Sequence, residues 1–320
     1  MLMSRWTFLP VLAVSCGGIA NAASVSTDMT ISGPQGALAG TFLSSGDHAP
    51  IVLMIPGSGP TDRDGNSATG MRPATLRLLA EGLANRGISS VRIDKRGMFG
   101  SQAAIPDANK VTISDYVDDV RNWVGAIRKK TGVRCVWVLG HSEGGLVALA
   151  AAQKPDGICG LLLLSTAAVS MDRLIGWQLH RNPANAPLLP QADIALARLK
   201  AGEHFDDSGL AVPLRPLFSK EIQGYLIDVM HYDPVKLASK ISLPVLIVQG
   251  GRDVQVFPRN AEMLKAVCPK AEVLMVPQMT HVLKTTPGSA PQDMLRTYTD
   301  ASLPLSPEIV PSVAQFVLRH

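Results

Sequence analysis

The chain has 320 residues, of which 46% are hydrophobic and 18% are charged, with a formal net charge of +4. This composition is typical of a globular protein with a sizeable core, and it excludes wholesale disorder. The positive charge is spread along the chain, and the longest basic run is the three residues Arg128–Lys130, which argues against nucleic-acid binding as the main function.

Residues 1–22 have the features of a secretory signal peptide. A positive charge at Arg5 precedes a mostly apolar stretch, and the Ala20–Ala22 segment has the A-x-A pattern of a cleavage site. The apolar stretch is too short and too interrupted by Pro and Gly for a stable membrane span. We therefore expect a periplasmic or secreted protein, with lipid anchoring at Cys16 as the less favoured interpretation.

Three cysteines follow this segment, namely Cys135, Cys159 and Cys268. Cys135 and Cys159 begin two apolar runs that should be adjacent parallel strands, where a disulfide could form in an oxidising compartment. Buried free thiols are the preferred interpretation, because cysteine packs well as a small hydrophobe. No Cys/His cluster has zinc spacing, so we predict no bound metal.

Strand-like apolar runs alternate with helical patterns along most of the chain, which predicts a parallel sheet with helices on both faces. The first two runs should instead form an antiparallel hairpin at a sheet edge. The expected elements, in order, are strands over 24–32, 37–44 and 51–55, a helix over 76–85, a strand over 90–94, a helix capped by Thr112 or Ser114, strands over 134–139 and 158–165 with a helix between them, a strand over 244–248, a helix over 259–267, a strand over 272–276, a Pro-containing loop and a helix over 307–319.

The alternation breaks between residues 166 and 241. This segment is amphipathic and rich in Pro, and it carries five of the aromatic residues. We therefore predict a signal peptide over 1–22, a sheet core formed by 23–165 and 242–320, and a helical cap over 166–241. The aromatic side chains could line a pocket or only pack a core, and the sequence leaves both open.

The segment Val136–Gly145 carries the strongest functional pattern. A buried strand, a G-x-S-x-G match at Gly140–Gly144 and a helix follow one another. A sharp turn there lifts the hydroxyl of Ser142 off the sheet, and the glycines let strand and helix approach closely. The backbone N–H of Glu143 then lies at a helix N-terminus, where it can bind a developing oxyanion. An ordinary strand-to-helix turn is the alternative.

A nucleophilic serine needs a base, and the base needs an orienting acid. Asp253 and His281 each follow a strand-like run, where a sheet of this kind places its functional loops. The chain order Ser142, Asp253, His281 is the one expected for this topology. Asp228 and Asp300 are weaker candidates for the acid, because neither directly follows a strand.

The loop over Pro56–Pro60 follows an early buried strand and can supply the second oxyanion N–H, from Ser58. A plain Gly/Pro turn is the alternative. For the neighbouring charges at 62–64 we favour an internal salt-bridged turn over a contact with a polar substrate group. We expect Lys95 and Arg96 to fix neighbouring loops.

Together these motifs resemble the α/β-hydrolase family. The resemblance rests on Pro56–Pro60, Gly140–Gly144, Gly251–Asp253 and the pair Thr280 and His281, and it is strongest to the serine-aminopeptidase-like and acyl-esterase branch of bacterial hydrolases. It implies an α/β fold with a mostly parallel eight-stranded sheet, helices on both faces, a helical cap after the strand near 165, and no cofactor.

The expected function is that of a serine hydrolase, a carboxylesterase that cleaves small or medium acyl esters through an acyl-enzyme. Ser142, His281 and Asp253 would form the catalytic triad, and Ser58 and Glu143 the oxyanion hole. A peptidase or acyl thioesterase of the same fold is the alternative, and a non-catalytic binding protein on a hydrolase scaffold is the alternative from another class. The sequence offers no evident acidic clamp for a free amino terminus, which favours an esterase over an aminopeptidase. A small-molecule ester is the expected partner, and the sequence does not indicate the oligomeric state.

Overall fold

Long apolar runs and amphipathic segments alternate in this chain, and the computed structural model shows what they form over residues 25–288 and 290–320. The proposed signal peptide and the anchoring site at Cys16 lie outside these described residues. The strands are β1 (Val25–Ser32), β2 (Ala37–Ser44), β3 (Ile51–Ile55), β4 (Ser89–Ile93), β5 (Val136–His141), β6 (Ile158–Leu164), β7 (Val245–Gly250) and β8 (Glu272–Val276). The helices are α1 (Thr75–Ala84), α2 (Ile113–Thr131), α3 (Glu143–Ala151), α4 (Met171–Arg181), α5 (Leu189–Lys200), α6 (Gln223–Met230), α7 (Pro234–Ala238), α8 (Arg259–Val267), α9 (Pro291–Thr299) and α10 (Ile309–Arg319).

The strands form a single eight-stranded sheet in the order β1-β2-β4-β3-β5-β6-β7-β8. β1 pairs antiparallel with β2, and β2 pairs antiparallel with β4, whereas all the remaining neighbours are parallel. The predicted α/β fold with a mostly parallel sheet and an antiparallel hairpin at its edge is therefore confirmed.

Helices cover both faces of the sheet, which explains why the central strands lack a polar alternation. In β3 all five residues are buried. Ile51, Leu53 and Ile55 pack on the side of α2 and α3, and Val52 and Met54 pack on the side of α1 and α10. Both sets of side chains leave water, so the whole run is apolar.

The segment between β6 and β7 contains the four helices α4 to α7. The first three surround a small core of their own, centred on Phe218, Leu199 and Met230, each of which is fully buried. The cap predicted over 166–241 is thus a helical segment, and no strand of the sheet comes from it.

The prediction that a loop alone joins β8 to the last helix is wrong, because this segment contains α9. The helix begins at Pro291, which suits a first helical position since proline has no N–H to leave unpaired. Only Thr297 and Tyr298 of this helix are buried. A helix with so small a buried face leaves little apolar periodicity in the sequence.

The preference for free thiols at Cys135 and Cys159 is also wrong, since the structure joins them in a disulfide with a Cα–Cα distance of 5.2 Å. β5 and β6 are parallel neighbours, and Val136 at the start of β5 pairs with Ile158, next to Cys159. The pairing of β5 with β6 therefore brings the two cysteines close enough to form the disulfide. Cys268 is a buried free thiol.

Removal of the disulfide should destabilise the fold. The two cysteines are 24 residues apart, and closing a loop of that length stabilises a protein by about 3 kcal/mol through the unfolded state. We expect the double variant Cys135→Ala/Cys159→Ala to lose this amount of unfolding free energy in urea titrations. Reductant should lower the stability of the wild type and leave the double variant unchanged. Equal stability of the wild type with and without reductant would contradict the prediction.

Candidate active site

Ser142 occupies a strained turn between β5 and α3. Its backbone has φ 56° and ψ −120°, a conformation that L residues rarely adopt. Such strain costs about 1–3 kcal/mol and persists only where the surroundings impose it. Here the surroundings are tightly packed, since every residue of β5 and of α3 is buried. The backbone N–H of Ser142 is held by the Leu164 carbonyl at 2.9 Å.

The glycines of the G-x-S-x-G motif are required by close backbone contacts. A Cβ atom at Gly140 would collide with the carbonyl of Gly144, and one at Gly144 would collide with the carbonyl of Ile55. At Gly145 the collision would be with the side chain of Thr166. The motif therefore has a steric cause, because β5 and α3 meet without room for side chains between them.

Asp253 and His281 lie at the same edge of the sheet and are bonded to each other. The Nδ1 atom of His281 lies 2.8 Å from Oδ2 of Asp253, and the other oxygen, Oδ1, accepts the backbone N–H groups of Gln255 and Val256 at 2.9 Å. Burial alone would raise the pKa of Asp253, but His281 and these two N–H groups bring it below its ordinary value. The carboxylate is thus ionised and fixed, and it leaves Nε2 as the free nitrogen of His281.

Ser142 and His281 line one small pocket of about 160 Å³, together with Gly57 and Ser58. Among the described residues, none forms a hydrogen bond with the Ser142 hydroxyl. The loop after β3 comes close to the serine at Gly57, where an added Cβ would lie 3.2 Å from Cβ of Ser142. The structure therefore brings the predicted serine, histidine and aspartate to one place, beside the predicted Ser58 loop.

Comparisons with known proteins agree with this architecture. A family model described as "Serine aminopeptidase, S33" matches residues 74–208. Esterase EstD of Thermotoga maritima is 25% identical over 272 residues, which are 82% of this chain and 61% of that protein. This chain therefore spans less than two thirds of that relative's length.

Solved structures show the same fold. The Pyrococcus furiosus esterase PF2001 aligns with a TM-score of 0.59 at 17% identity, over 93% of this chain and 91% of that one. The α/β-hydrolase GrgF from Penicillium sp. sh18 aligns with a TM-score of 0.60 at 16% identity, over 92% of this chain and 99% of that one. The chain has the α/β-hydrolase fold.

In an α/β-hydrolase, the residue after the nucleophile and the loop after an early strand carry the N–H groups that face the serine. In this chain the sequence predicts the backbone N–H groups of Glu143 and Ser58 for this position. Neither donates a hydrogen bond to any residue that the structure describes. Glu143 is the first residue of α3, so its N–H has no intrahelical partner.

His141, which directly precedes Ser142, contacts His281. Its Nε2 lies 2.8 Å from the backbone carbonyl of His281, to which it donates when neutral. Burial above all, and then the adjacent His281, lower the pKa of His141 to about 4. The contact joins residues 140 positions apart, and no sequence pattern predicts it.

Lys95 forms a buried ion pair with Glu143, the residue that follows Ser142. Its Nζ lies 3.1 Å from Oε1 of Glu143, and the two side chains are 2% and 1% exposed. The expectation that Lys95 fixes a neighbouring loop is therefore wrong. Arg96 contacts a helix instead of a loop, since its guanidinium pairs with Asp115 and Asp119 of α2.

The other charged candidates have structural contacts away from Ser142. Asp62 accepts the N–H groups of Asp64 and Asn66, which makes 62–66 a hydrogen-bonded turn. The salt bridges of this turn are not internal as expected, because they join it to Arg92 and Asp94. Asp228 accepts the N–H of Ile113 at the start of α2. Asp300 accepts from Ser302. The weaker acid candidates Asp228 and Asp300 thus bind other groups than His281.

Residues 25–288 and 290–320 contain no group of three or more His, Cys, Asp or Glu side chains that could hold a metal ion. Over the same residues, no helix is both long enough and apolar enough to cross a membrane.

The buried neutral His141 predicts a specific pH dependence of stability. The unfolded chain protonates this histidine near pH 6.5, whereas the folded protein does so only near pH 4. Its contribution is therefore complete above pH 6.5 and is lost as the pH falls toward 4, by about 2–3 kcal/mol. Urea unfolding at pH 7 and pH 4.5 should show this loss.

The variant His141→Gln has no titratable group at this position, so its stability should fall less between pH 7 and pH 4.5. Asp253 does not interfere, because its lowered pKa places its own loss below pH 3.8. Identical pH profiles for the wild type and the variant would show that His141 is not the cause.

Proposed function

We propose that this α/β-hydrolase is a serine carboxylesterase that cleaves small or medium acyl esters. The observation that carries the proposal is the 2.8 Å bond between His281 and Asp253, together with the pocket that His281 and the strained Ser142 both line. A positioned carboxylate, an imidazole with a free Nε2 and a hydroxyl on a sharp turn are the components of nucleophilic acyl transfer.

The reaction proceeds in two steps. The Ser142 oxygen attacks the ester carbonyl while Nε2 of His281 takes the hydroxyl proton, and the tetrahedral intermediate collapses as His281 gives that proton to the leaving alcohol. Water then attacks the acyl-enzyme, His281 takes its proton, and the acid leaves as the serine is protonated again. Asp253 holds the imidazole and stabilises its charged form in both steps.

The backbone N–H groups of Ser58 and Glu143 would bind the oxyanion. Both are without a protein partner in the described residues, and the Glu143 N–H lies at the positive end of the α3 dipole. A donor of this kind typically contributes about 10²–10³ in rate.

Two observations favour an ester over a peptide as substrate. The carboxylate of Glu143 is paired with Lys95, so it does not provide a free negative charge for a substrate amino terminus. The Thermotoga maritima relative, whose similarity covers 82% of this chain, is named an esterase. The family model, in contrast, is named for serine aminopeptidases, so amide and thioester substrates belong in the assay.

Because His281 must protonate the leaving alcohol, its position distinguishes the pocket for the alcohol from the pocket for the acyl group. The leaving alcohol must lie near His281 to be protonated, and the pocket of about 160 Å³ contains this residue. A second pocket of about 450 Å³ contains Ser142 and Glu143 and is formed largely by apolar side chains. We assign the acyl group to this second pocket, because Ser142 lines it and His281 does not.

Ser142→Ala should abolish turnover of p-nitrophenyl acetate and butyrate, with a loss of at least about 10⁴ in kcat. Asp253→Asn should lower kcat by roughly 10³–10⁴, because the imidazole loses its orienting charge. The rival acid provides the matched control, and Asp300→Asn should retain activity. A panel of esters, thioesters and amides with the same acyl group then ranks the three substrate classes.

A fluorophosphonate probe should label the wild type and leave Ser142→Ala unlabelled. Absence of labelling in the wild type would favour a non-catalytic binding protein on this scaffold. An alanine variant as active as the wild type would rule out Ser142 as the nucleophile.

Export to the periplasm or medium is part of the same proposal. The Cys135–Cys159 disulfide supports it, because structural disulfides persist in oxidising compartments. N-terminal sequencing of the active protein recovered from the periplasm should give a chain that begins at Ala23. Active protein found only in the cytosol with residues 1–22 intact would argue against export.

A further inference from the structure

The pocket assigned to the leaving alcohol has a largely polar wall. Its volume is about 160 Å³, and Met71, Pro73 and Val282 are its apolar lining residues. Polar side chains line it beside Ser142 and His281, namely those of Ser58, Thr61, Ser67, Gln255 and Tyr298. A few placed polar groups of this kind fix the orientation of a small ligand. The wall therefore offers hydrogen bonds to an alcohol that has a polar group besides the ester oxygen.

Gln255 lies at the boundary between the two substrate pockets, since it lines both of them, as Ser142 does. Its backbone N–H is bonded to Oδ1 of Asp253 at 2.9 Å. Its carbonyl accepts a hydrogen bond from the side chain of Gln178, also at 2.9 Å. The backbone of Gln255 is thus fixed on both sides, and its side chain starts from a defined point beside the Asp253–His281 pair.

Gln255 and Tyr298 form a hydrogen-bonded pair. Nε2 of Gln255 lies 3.2 Å from the phenolic oxygen of Tyr298, a residue of α9. Burial, opposed by this bond and reinforced by the Asp253 carboxylate, raises the pKa of Tyr298 to about 12. The phenol therefore keeps its proton at neutral pH. Because the Asp253 carboxylate acts on it, the phenol lies at the end of the pocket that contains His281.

The single bond between these side chains uses only part of their hydrogen-bonding capacity. A glutamine side chain has two N–H donors and an acceptor oxygen, and a phenol can both donate and accept. The Gln255 oxygen has no partner among the described residues and is not one of their wholly buried unpartnered atoms, so it retains exposed surface. The phenolic proton of Tyr298 likewise has no protein acceptor in the part of the chain that the structure describes.

The orientation of the Gln255 amide does not change this result. In the orientation described, the phenol is the free donor and the amide oxygen is the free acceptor. With the amide turned over, its NH₂ group would be the free donor and the phenolic oxygen the free acceptor. In both orientations the pair offers one donor and one acceptor next to each other.

A neutral hydroxyl group fits this pair, because it can donate to one side chain and accept from the other. A carboxylate has no proton to donate, and the nearby Asp253 would repel it. An ammonium group has no lone pair to accept the free proton. The chemistry of the pair therefore selects a hydroxyl over either charged group.

We propose that Gln255 and Tyr298 recognise a hydroxyl group on the alcohol part of the ester, so that the preferred substrates are esters of small alcohols with a second hydroxyl. The inference rests on the proposed esterase function. The hydroxyl belongs to the alcohol part because the pair lines the pocket with His281, which must protonate the leaving oxygen. The small volume of this pocket favours an alcohol of a few carbons.

Matched esters of one acid test the proposal. We would measure kcat/KM for 2-hydroxyethyl butanoate and for propyl butanoate, in which a methyl group replaces the hydroxyl. This parameter covers the steps through departure of the alcohol, so slow hydrolysis of the acyl-enzyme does not affect it. We expect a preference of at least about tenfold for the hydroxyethyl ester, because the propyl ester leaves the donor and the acceptor of the pair without partners.

The hydroxyl also makes the glycol a better leaving group than propanol, and two references correct for this effect. The rates of both esters with hydroxide in solution give the intrinsic ratio. 2-Methoxyethyl butanoate has a similar electron-withdrawing oxygen but no proton to donate, so it should react more slowly than the hydroxyethyl ester. A preference no larger than the hydroxide ratio, or one that the methoxy ester shares fully, would overturn the proposal.

Two variants locate the preference. Tyr298→Phe removes the phenolic hydroxyl, and Gln255→Met removes the amide while keeping the side-chain length. The readout is the ratio of kcat/KM for the hydroxyethyl and propyl esters, so a general loss of activity cancels. The ratio should fall toward the hydroxide value in both variants. Unchanged ratios would mean that the pair only ties α9 to the Asp253 loop, which would overturn the proposal.

Tyr232→Phe is the matched control for Tyr298→Phe. Tyr232 lines a pocket with Ser142 but does not line the pocket that contains His281. Its ratio should remain that of the wild type. Methyl 6-hydroxyhexanoate and methyl heptanoate place the same difference on the acyl part, where no preference for the hydroxyl is expected. A hydroxyl preference in this acyl pair and none among the butanoates would overturn the proposal.

Acyl transfer gives a second readout of the same site. With p-nitrophenyl butanoate as the acyl donor, an added alcohol competes with water: its oxygen attacks the acyl-enzyme, His281 takes its proton, and the Ser142 oxygen leaves with that proton. Because this step reverses the first one, the alcohol must occupy the same pocket. Ethylene glycol should form more ester than propanol at equal concentration, and Tyr298→Phe should remove the difference. Equal yields in the wild type would contradict the proposal.

Failure of this inference is distinguishable from failure of the esterase function. Turnover of propyl butanoate that depends on Ser142, without any preference for the hydroxyethyl ester beyond the hydroxide ratio, overturns the inference and keeps the function. Absence of both turnover and fluorophosphonate labelling overturns both.

Discussion

The close packing of β5 against α3 is the constraint on which the rest of the site depends. No side chain fits between Gly140 and Gly144, so the backbone turns sharply and Ser142 takes a positive φ of 56°. The buried strand and helix on either side hold this strain. The same turn makes Glu143 the first residue of α3, which leaves its N–H free and places its side chain beside Lys95. One steric requirement thus positions a hydroxyl, an N–H group and a buried acid.

Much of the fold follows from the sequence because the central strands are buried on both faces. Continuous apolar runs such as Ile51–Ile55 mark them clearly, and the carboxyl ends of parallel strands meet at one edge of the sheet. Ser142, Asp253 and His281 therefore come together from three distant parts of the chain, as their positions after strands predict. The inserted helices could be predicted only as helical, since their amphipathic pattern does not say which side chains line a pocket.

The contacts that the sequence did not predict join side chains of residues far apart in the chain. Lys95 and Glu143 are 48 positions apart, and their pairing depends on the directions of two side chains on neighbouring elements. The bond from His141 to the carbonyl of His281 depends in the same way on the packing of a loop over the turn. Predicting the disulfide would have required the register of β5 and β6. Adjacent strands alone are compatible with two free thiols or with a disulfide. Local patterns contain none of this information.

The Lys95–Glu143 pair resolves a conflict within the proposed mechanism. A serine hydrolase needs positive potential where the oxyanion forms, yet Glu143 would bring a carboxylate next to the residue that is attacked. In a buried site this charge would be screened little by solvent and would oppose the developing negative charge. Lys95 offsets it, at the desolvation cost of a buried ion pair. Because the pair is buried and its formal charges cancel, it leaves no net charge beside the serine.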